Sequence, residues 1–583
     1  MAVRREAGAL RFAIWRWLAP AWLVLPLFWM CLDGRALGAR HRLITGGEEI
    51  RWARAPAEAA RQRTGVLEHA RRAKRVSLPP QALRGDGIRR ADVLELRLFD
   101  ETALAARVEQ VAVDAAGTSV IRCRVDGCPL GFVVLTAHAG RCMAAIEVPE
   151  LGLHQQLAYD PASASHYLVD FGARYPDAVA HATPLQPPAA ADAPLAADPP
   201  PAAPAGAPGP NDPATVDVMV VYTPEARVWA DLHGGIGNVI AQALAKSQLA
   251  HDNSRTGITQ QLVHAAEIAY TETGSSCTDL GRLQHPGDGH MDDVHFWRAC
   301  YGADLVVLLS RTEDVGGVGF ALGCSAGSAD YGFSIARIQQ VAGTFTMAHE
   351  MAHNMGCGHH KQQTAQPGPG LFPYAAGWRW VSPDGQRRCD LMTYPEGRYF
   401  ADGITHMAMP YFSSPEISYD GAVTGDPDHG DNRRCLMKMK HVVAAYRQAG
   451  QPMPNDSFAS AATLSGASGS VTGCNLGASK EPGELDHAGN PGGKSVWWLW
   501  TAPASGWVAM DTTGSGFDAL LAVYTGDAVG ALAEIAPRNG GTPGRILFRA
   551  VAGATYRIAV VGADGADGKI TLSWNYPPQI EVN

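Results

Sequence analysis

No feature of this 583-residue chain constrains its folding more than residues 344–360, reading TFTMAHEMAHNMGCGHH. His349, Glu350, His353, Gly356 and His359 stand at the positions H-E-x-x-H-x-x-G-x-x-H. The stretch must start as a helix, where residues four apart lie one above the other with Cβ atoms about 5–6 Å apart. His349 and His353 then aim both imidazoles at one metal ion, with bonds of about 2.0–2.1 Å if the ion is zinc. The helix must also stop, since a third histidine further along it would be out of reach. Gly356 tolerates positive φ, so the chain can swing back and bring His359 in as third ligand. A fourth position stays open for water. Glu350 faces that water rather than the metal, where a carboxylate can take the proton as water attacks a carbonyl. A helix merely rich in histidine is the plain alternative, but five fixed positions in eleven are a far stricter match than H-E-x-x-H alone. The expectation is a catalytic zinc site.

The extended motif resembles the signature of the metzincin metalloproteases. Leu391-Met392-Thr393-Tyr394 looks like their Met-turn. The resemblance implies that Met392 lies beneath the ligand imidazoles as an apolar floor. It also implies that Tyr394 reaches the zinc or the reacting carbonyl oxygen. His353-Asn354-Met355-Gly356 and Tyr411-Phe412-Ser413-Ser414-Pro415 are similar to reprolysin-like bacterial enzymes, including the peptidyl-Asp metalloendopeptidase group. His360 stands where reprolysins usually carry Asp, which leaves the subfamily open. Spacing favours His359 as the ligand and His360 as a solvated or supporting neighbour. If the peptidyl-Asp resemblance holds, an acidic substrate side chain needs a cation. Arg398 is the one Arg or Lys between the Met-turn and Tyr411, and its guanidinium suits a bidentate grip on a carboxylate.

The chain is too long for one core, and its composition is that of a multidomain globular protein. Residues 1–100 carry 19 basic against 10 acidic side chains, while the whole chain is −9, so the remainder is −18. An acidic body lacks the basic face that nucleic acid requires. Residues 1–39 read as a signal peptide: Arg4, Arg5 and Arg11 precede an apolar run, and Ala36-Leu37-Gly38 offers a cleavage site. A retained anchor is the alternative, but Arg16 cuts the run below the usual spanning length of about 20 residues. The chain is expected to be a monomer, secreted, with no permanent membrane span.

Residues 40–183 alternate as short strands near 108–113, 131–136 and 143–148. The run Arg71-Arg72-Ala73-Lys74-Arg75 reads as a solvated patch. Residues 184–213 hold eleven prolines in thirty positions, the composition of an extended linker. A β-rich segment so joined reads as a propeptide, with a permanent accessory domain as the alternative. The catalytic domain is placed at 214–450, as α/β with a mixed sheet and a zinc helix. Strands are expected at 216–222, 258–271, 304–310 and 333–341, and helices at 236–254 and 432–449. Its six cysteines allow up to three disulfides. Gly323-Cys324-Ser325-Ala326-Gly327 matches G-x-S-x-G, yet no helix start follows the serine, so it reads as a small-residue loop by the cleft.

Residues 454–576 show short alternating strands broken by Gly, an antiparallel β-sandwich. Ser495-Val496-Trp497-Trp498, Phe517-Asp518-Ala519-Leu520-Leu521 and Thr555-Tyr556 resemble the bacterial pre-peptidase C-terminal (PPC-like) domains, which are jelly rolls. Glu481, Glu484 and Asp486 are candidates for a calcium ion. The function implied is a secreted zinc endopeptidase made as a zymogen, acting on protein or peptide. The alternative is a degenerate protease scaffold that binds through the sandwich, and an intact Glu350 separates the two. After loss of the signal, Cys123, Cys128 and Cys142 remain in the propeptide, an odd number that leaves one thiol either to cap the zinc or to pair with Cys474.

Overall fold

A computed structural model describes residues 39–172 (apart from stretches within 45–86 and residues 115–116), 180–187, 208–447, 455–535 and 544–576. Residues 1–38, read as an export signal, and 188–207 of the linker lie outside the described residues. Among the described residues no helix is long and apolar enough to cross a membrane.

The segment expected to bear the metal site is built on a five-stranded sheet. Its elements are β1 (Ala214–Tyr222), α1 (Pro224–Asp231), α2 (Ile236–Asn253), β2 (Ile258–Glu267), α3 (Ser276–Gln284) and α4 (Asp292–Tyr301). There follow β3 (Leu305–Ser310), β4 (Gly317–Gly319), β5 (Phe333–Arg337), α5 (Ile338–Val341), α6 (Thr346–Asn354) and α7 (Asn432–Val443). The strand order is β2-β1-β3-β5-β4. All pairings are parallel except β4 with β5. Alternate residues of β1 enter opposite cores: Val216, Val218 and Val220 on one face, Met219 and Val221 on the other. Burial on both faces explains the continuous apolar run. α1, α3 and α4 were not expected from the sequence, and the helices predicted at 236–254 and 432–449 end at Asn253 and Val443. The strand predicted at 333–341 turns into α5 after Arg337.

Residues 40–170 form one ten-stranded sheet, largely an antiparallel meander from Val93–Arg97 to Ser165–Asp170. One face encloses Leu96, Val108, Ile121, Leu135, Ile146 and Leu157. The other face lies on α2, where Phe132, Val134 and Ala145 pack against Ala245 and Leu249. Lys246 of α2 is buried in that contact, paired with Glu147 and donating to the Gly343 carbonyl at 2.9 Å. The basic run is not simply solvated: Arg72 pairs with Asp170 at 2.8 Å and Asp100 at 2.5 Å.

Residues 462–575 form a five-stranded and a four-stranded sheet around a shared core that includes Trp498, Trp500, Val508, Phe548 and Leu572. Among the described residues the one disulfide is Cys300–Cys474, joining the end of α4 to this C-terminal unit. The three intradomain bonds that the cysteine count allowed do not form. Lys569 adds an ion pair to Asp293 at 3.3 Å across the same junction. The calcium candidates are engaged elsewhere. Glu481 accepts from the Phe458 amide, Glu484 contacts His487 at 2.6 Å, and Asp486 pairs with Lys480.

Candidate metal centre

Helix α6 is buried along its whole length between β5, β4 and α2. It ends as the motif requires. Cys357 N donates to the Ala352 carbonyl at 2.9 Å, Gly356 N to that of His353 at 3.0 Å, and Gly356 takes φ +92°. The chain then reverses, and Asn432 at the start of α7 grips Gly358 twice, accepting from its amide at 3.1 Å and donating to its carbonyl at 3.0 Å. Asn354 anchors the end of α6 to the sheet by donating to the Phe320 and Phe333 carbonyls at 2.8 and 3.0 Å.

These restraints bring three Nε2 atoms together. His349 and His359 are 3.0 Å apart, and His353 lies 3.1 Å from each. Every Nδ1 faces a main-chain carbonyl at 2.9 Å: Leu391 for His349, Cys357 for His353, Gln366 for His359. A carbonyl can only accept, so each Nδ1 carries the proton and each Nε2 presents a lone pair. Burial, followed by mutual repulsion, holds the imidazoles well below their ordinary pKa and keeps them neutral. Three lone pairs facing one another need a cation. A tetrahedral ion at about 2.0–2.1 Å would set the nitrogens roughly 3.3 Å apart, close to what is found.

Glu350 is fully buried beside the triad, and burial pushes its carboxyl well up. Its Oε2 has no partner among the described residues. Gly317 and Gly319 of β4 cover it, and a Cβ at Gly317 would stand 2.5 Å from Oε1. Met392 is fully buried in the core that holds Met351 and Met355. The preceding Leu391 carbonyl orients His349. The Tyr394 ring centroid is 5.0 Å from that of His359. Its hydroxyl donates to the His181 carbonyl at 2.9 Å and lies 2.8 Å from the Gln366 side chain.

Of the two positions expected for His360, solvated or supporting, the solvated one does not hold. It is buried between Trp378 and Phe400, at centroid distances of 5.9 and 5.3 Å, and outside the triad. Arg398 is exposed and donates to the Tyr399 hydroxyl at 2.9 Å. A cavity of about 210 Å³ beside the triad is lined by Thr183, Leu322, Gly358, Pro369 and Leu371 among others, with no Arg or Lys. Gly323 of the G-x-S-x-G loop also lines it, as a cleft wall. The thiols are elsewhere: Cys123 and Cys142 are buried in the N-terminal core and Cys128 packs against it. The residue that faces the triad from outside is His181, which sequence reasoning missed. The same is true of Gly317, Gln366 and Asn432. The doublet Gly316-Gly317 before Val318-Gly319 was the one visible hint.

Residues 212–418 match the Reprolysin_5 profile, described as metallopeptidase family M12. A peptidyl-Asp metalloendopeptidase of Stenotrophomonas maltophilia is 32% identical over 235 residues, which are 40% of this chain and 53% of the relative. One from Xanthomonas campestris is 31% identical over 240 residues, 41% and 53% of the two chains. One from Pseudomonas aeruginosa is 27% identical over 265 residues, 41% of each. The match thus spans about half the length of the first two relatives.

Proposed function

We propose that this chain, whose residues 212–418 are a reprolysin-like metallopeptidase domain, is an exported zinc endopeptidase made as a zymogen. The observation that carries this reading is the convergence of three Nε2 lone pairs next to a buried carboxylate. His349, His353 and His359 would hold the ion. Bound zinc supplies Lewis acidity that polarises a carbonyl and makes water acidic near neutral pH. Glu350 takes the proton from the attacking water and returns it to the leaving amine, a role that its buried position beside the triad suits. Tyr394 already donates to one carbonyl oxygen, that of His181, and would do the same for the carbonyl under attack. Met392, buried in the core that also holds Met351 and Met355, would be the apolar floor beneath the imidazoles.

In this reading residues 1–39 direct export, 40–183 are the propeptide, 184–213 the linker and 454–576 a PPC-like module. The relatives' name suggests cleavage beside aspartate, with Arg398, exposed two residues after Glu396, as the candidate cation. Digestion of a peptide library by the processed chain, with and without a chelator, tests this. Chelator-sensitive cuts at acidic residues support it; no cleavage, or cleavage that the chelator leaves unchanged, refutes it.

A further inference from the structure

The short segment 180–187 lies against the strand that covers Glu350. It runs alongside β4 as an added strand. The Gly316 amide donates to the Ala180 carbonyl at 2.8 Å, and the Ala182 amide to that of Gly317 at 2.8 Å. The Leu185 amide donates to the Gly319 carbonyl, and the Ala321 amide to that of Leu185, both at 2.9 Å. Leu185 and Ala182 pack on the core of Val318, Phe320 and Phe333. Gln366 clasps the segment too. In the orientation that satisfies both ends of its amide, it donates to the Ala182 carbonyl at 3.0 Å and accepts from the Thr183 amide at 2.8 Å. These contacts fall at the boundary between the expected propeptide and linker, and Leu185 belongs to the stretch whose composition predicted an extended linker.

His181 is carried by this ladder into the site. Its ring stacks on His349 at 4.1 Å, with 18° between planes. Its Nδ1 sits 2.5 Å from Glu350 Oε1, and its carbonyl holds the Tyr394 hydroxyl. The ring nitrogen is therefore spent on the carboxylate, while the three triad nitrogens face one another without it. We propose that His181 is an internal plug that keeps the chain latent by occupying Glu350 and Tyr394, the proton-handling groups, rather than by ligating the metal. The inference rests on the endopeptidase reading above and deepens it. It also replaces the thiol cap, since the Cys142 thiol donates to the Ala82 carbonyl at 3.0 Å inside the N-terminal core.

The plug is held from behind. The ten-stranded sheet docks on α2 through Phe132, Val134 and the Lys246–Glu147 pair, which keeps the segment at high effective concentration for the cleft. Release requires the chain to be cut beyond residue 187 and the sheet to leave α2.

The test uses the full chain, uncut as verified by intact mass, in three forms: wild type, His181→Ala and His181→Phe. Phe keeps the stacking ring but has no nitrogen for Glu350. Two quantities are read: peptide hydrolysis by the zinc-loaded uncut chain, and deuterium exchange of residues 316–321 in chelator-treated protein, which needs no turnover. Losing the His181–Glu350 hydrogen bond is expected to speed exchange of the Gly316 and Ala321 amides several-fold, up to about tenfold. It should also bring hydrolysis forward to before processing, in both variants. Wild-type exchange and unbroken latency in the Ala variant would overturn the plug. Latency retained in the Phe variant alone would show that bulk, not the Glu350 contact, silences the site, and so would also overturn it. If the wild-type chain stays inert even after processing, the endopeptidase reading fails, and the exchange data still judge the contact.

Discussion

Each triad imidazole has its proton placed by a carbonyl that belongs to a turn, not to the helix bearing the other ligands: Leu391, Cys357 and Gln366. Ligand identity is therefore a matter of which ring is so held. His359→Ala is expected to abolish zinc binding measured by metal analysis, whereas His360→Ala, which removes a ring packed on Trp378 and Phe400, should keep a full equivalent. Equal metal content in both would move the third ligand. Glu350→Gln keeps the shape but cannot accept a proton. It should retain zinc and lose hydrolysis by about 10²–10⁴-fold, the usual worth of a positioned base. His349, Glu350, His353 and His359 were all legible because their spacing alone demands a helix followed by a bend. For His360 the sequence left solvated and supporting positions both open, because its burial comes from Trp378 and Phe400, residues that say nothing about it in the sequence.

At the scale of elements, α6 and β4 form the working pair. β4 is three residues long, and two are glycine because Glu350 lies directly against the strand. In Gly317→Ala the new methyl would meet the carboxylate, which must move. Misplacement of a catalytic group by about 1 Å can cost roughly 10²-fold. The variant should thus bind zinc normally and lose at least tenfold in kcat, read from metal content and initial rates together. Undiminished kcat would mean that the carboxylate has room the structure does not give it. The strands of the sheet were readable from their apolar runs. The helices α1, α3 and α4 were not, since polar residues blur the 3.6-residue period: α3 buries Ser276 and Asp279 along with Leu280 and Leu283.

At the scale of the whole molecule, two attachments frame the metal-bearing unit. Among the described residues the N-terminal sheet covers α2 with no disulfide to it, and the C-terminal unit is tied by Cys300–Cys474. The two ends should therefore part differently. With a protease site inserted at 451, cut protein should stay one species on a non-reducing gel and split on reduction. Two bands without reductant would show that the disulfide does not form.

The sequence by itself determined the local chemistry: a helix that must break at Gly356, three nitrogens in reach of one ion, and apolar runs that must be buried strands. Those follow from spacings within a few residues, where backbone geometry leaves little choice. Tertiary structure alone decided what meets that site from afar. His181 reaches Glu350 across 169 positions and Asn432 reaches Gly358 across 74, while Cys474 finds Cys300 across 174. Such contacts depend on how strand edges and helix ends are stacked, and the chemistry of a lone histidine or cysteine is the same whichever partner the fold delivers.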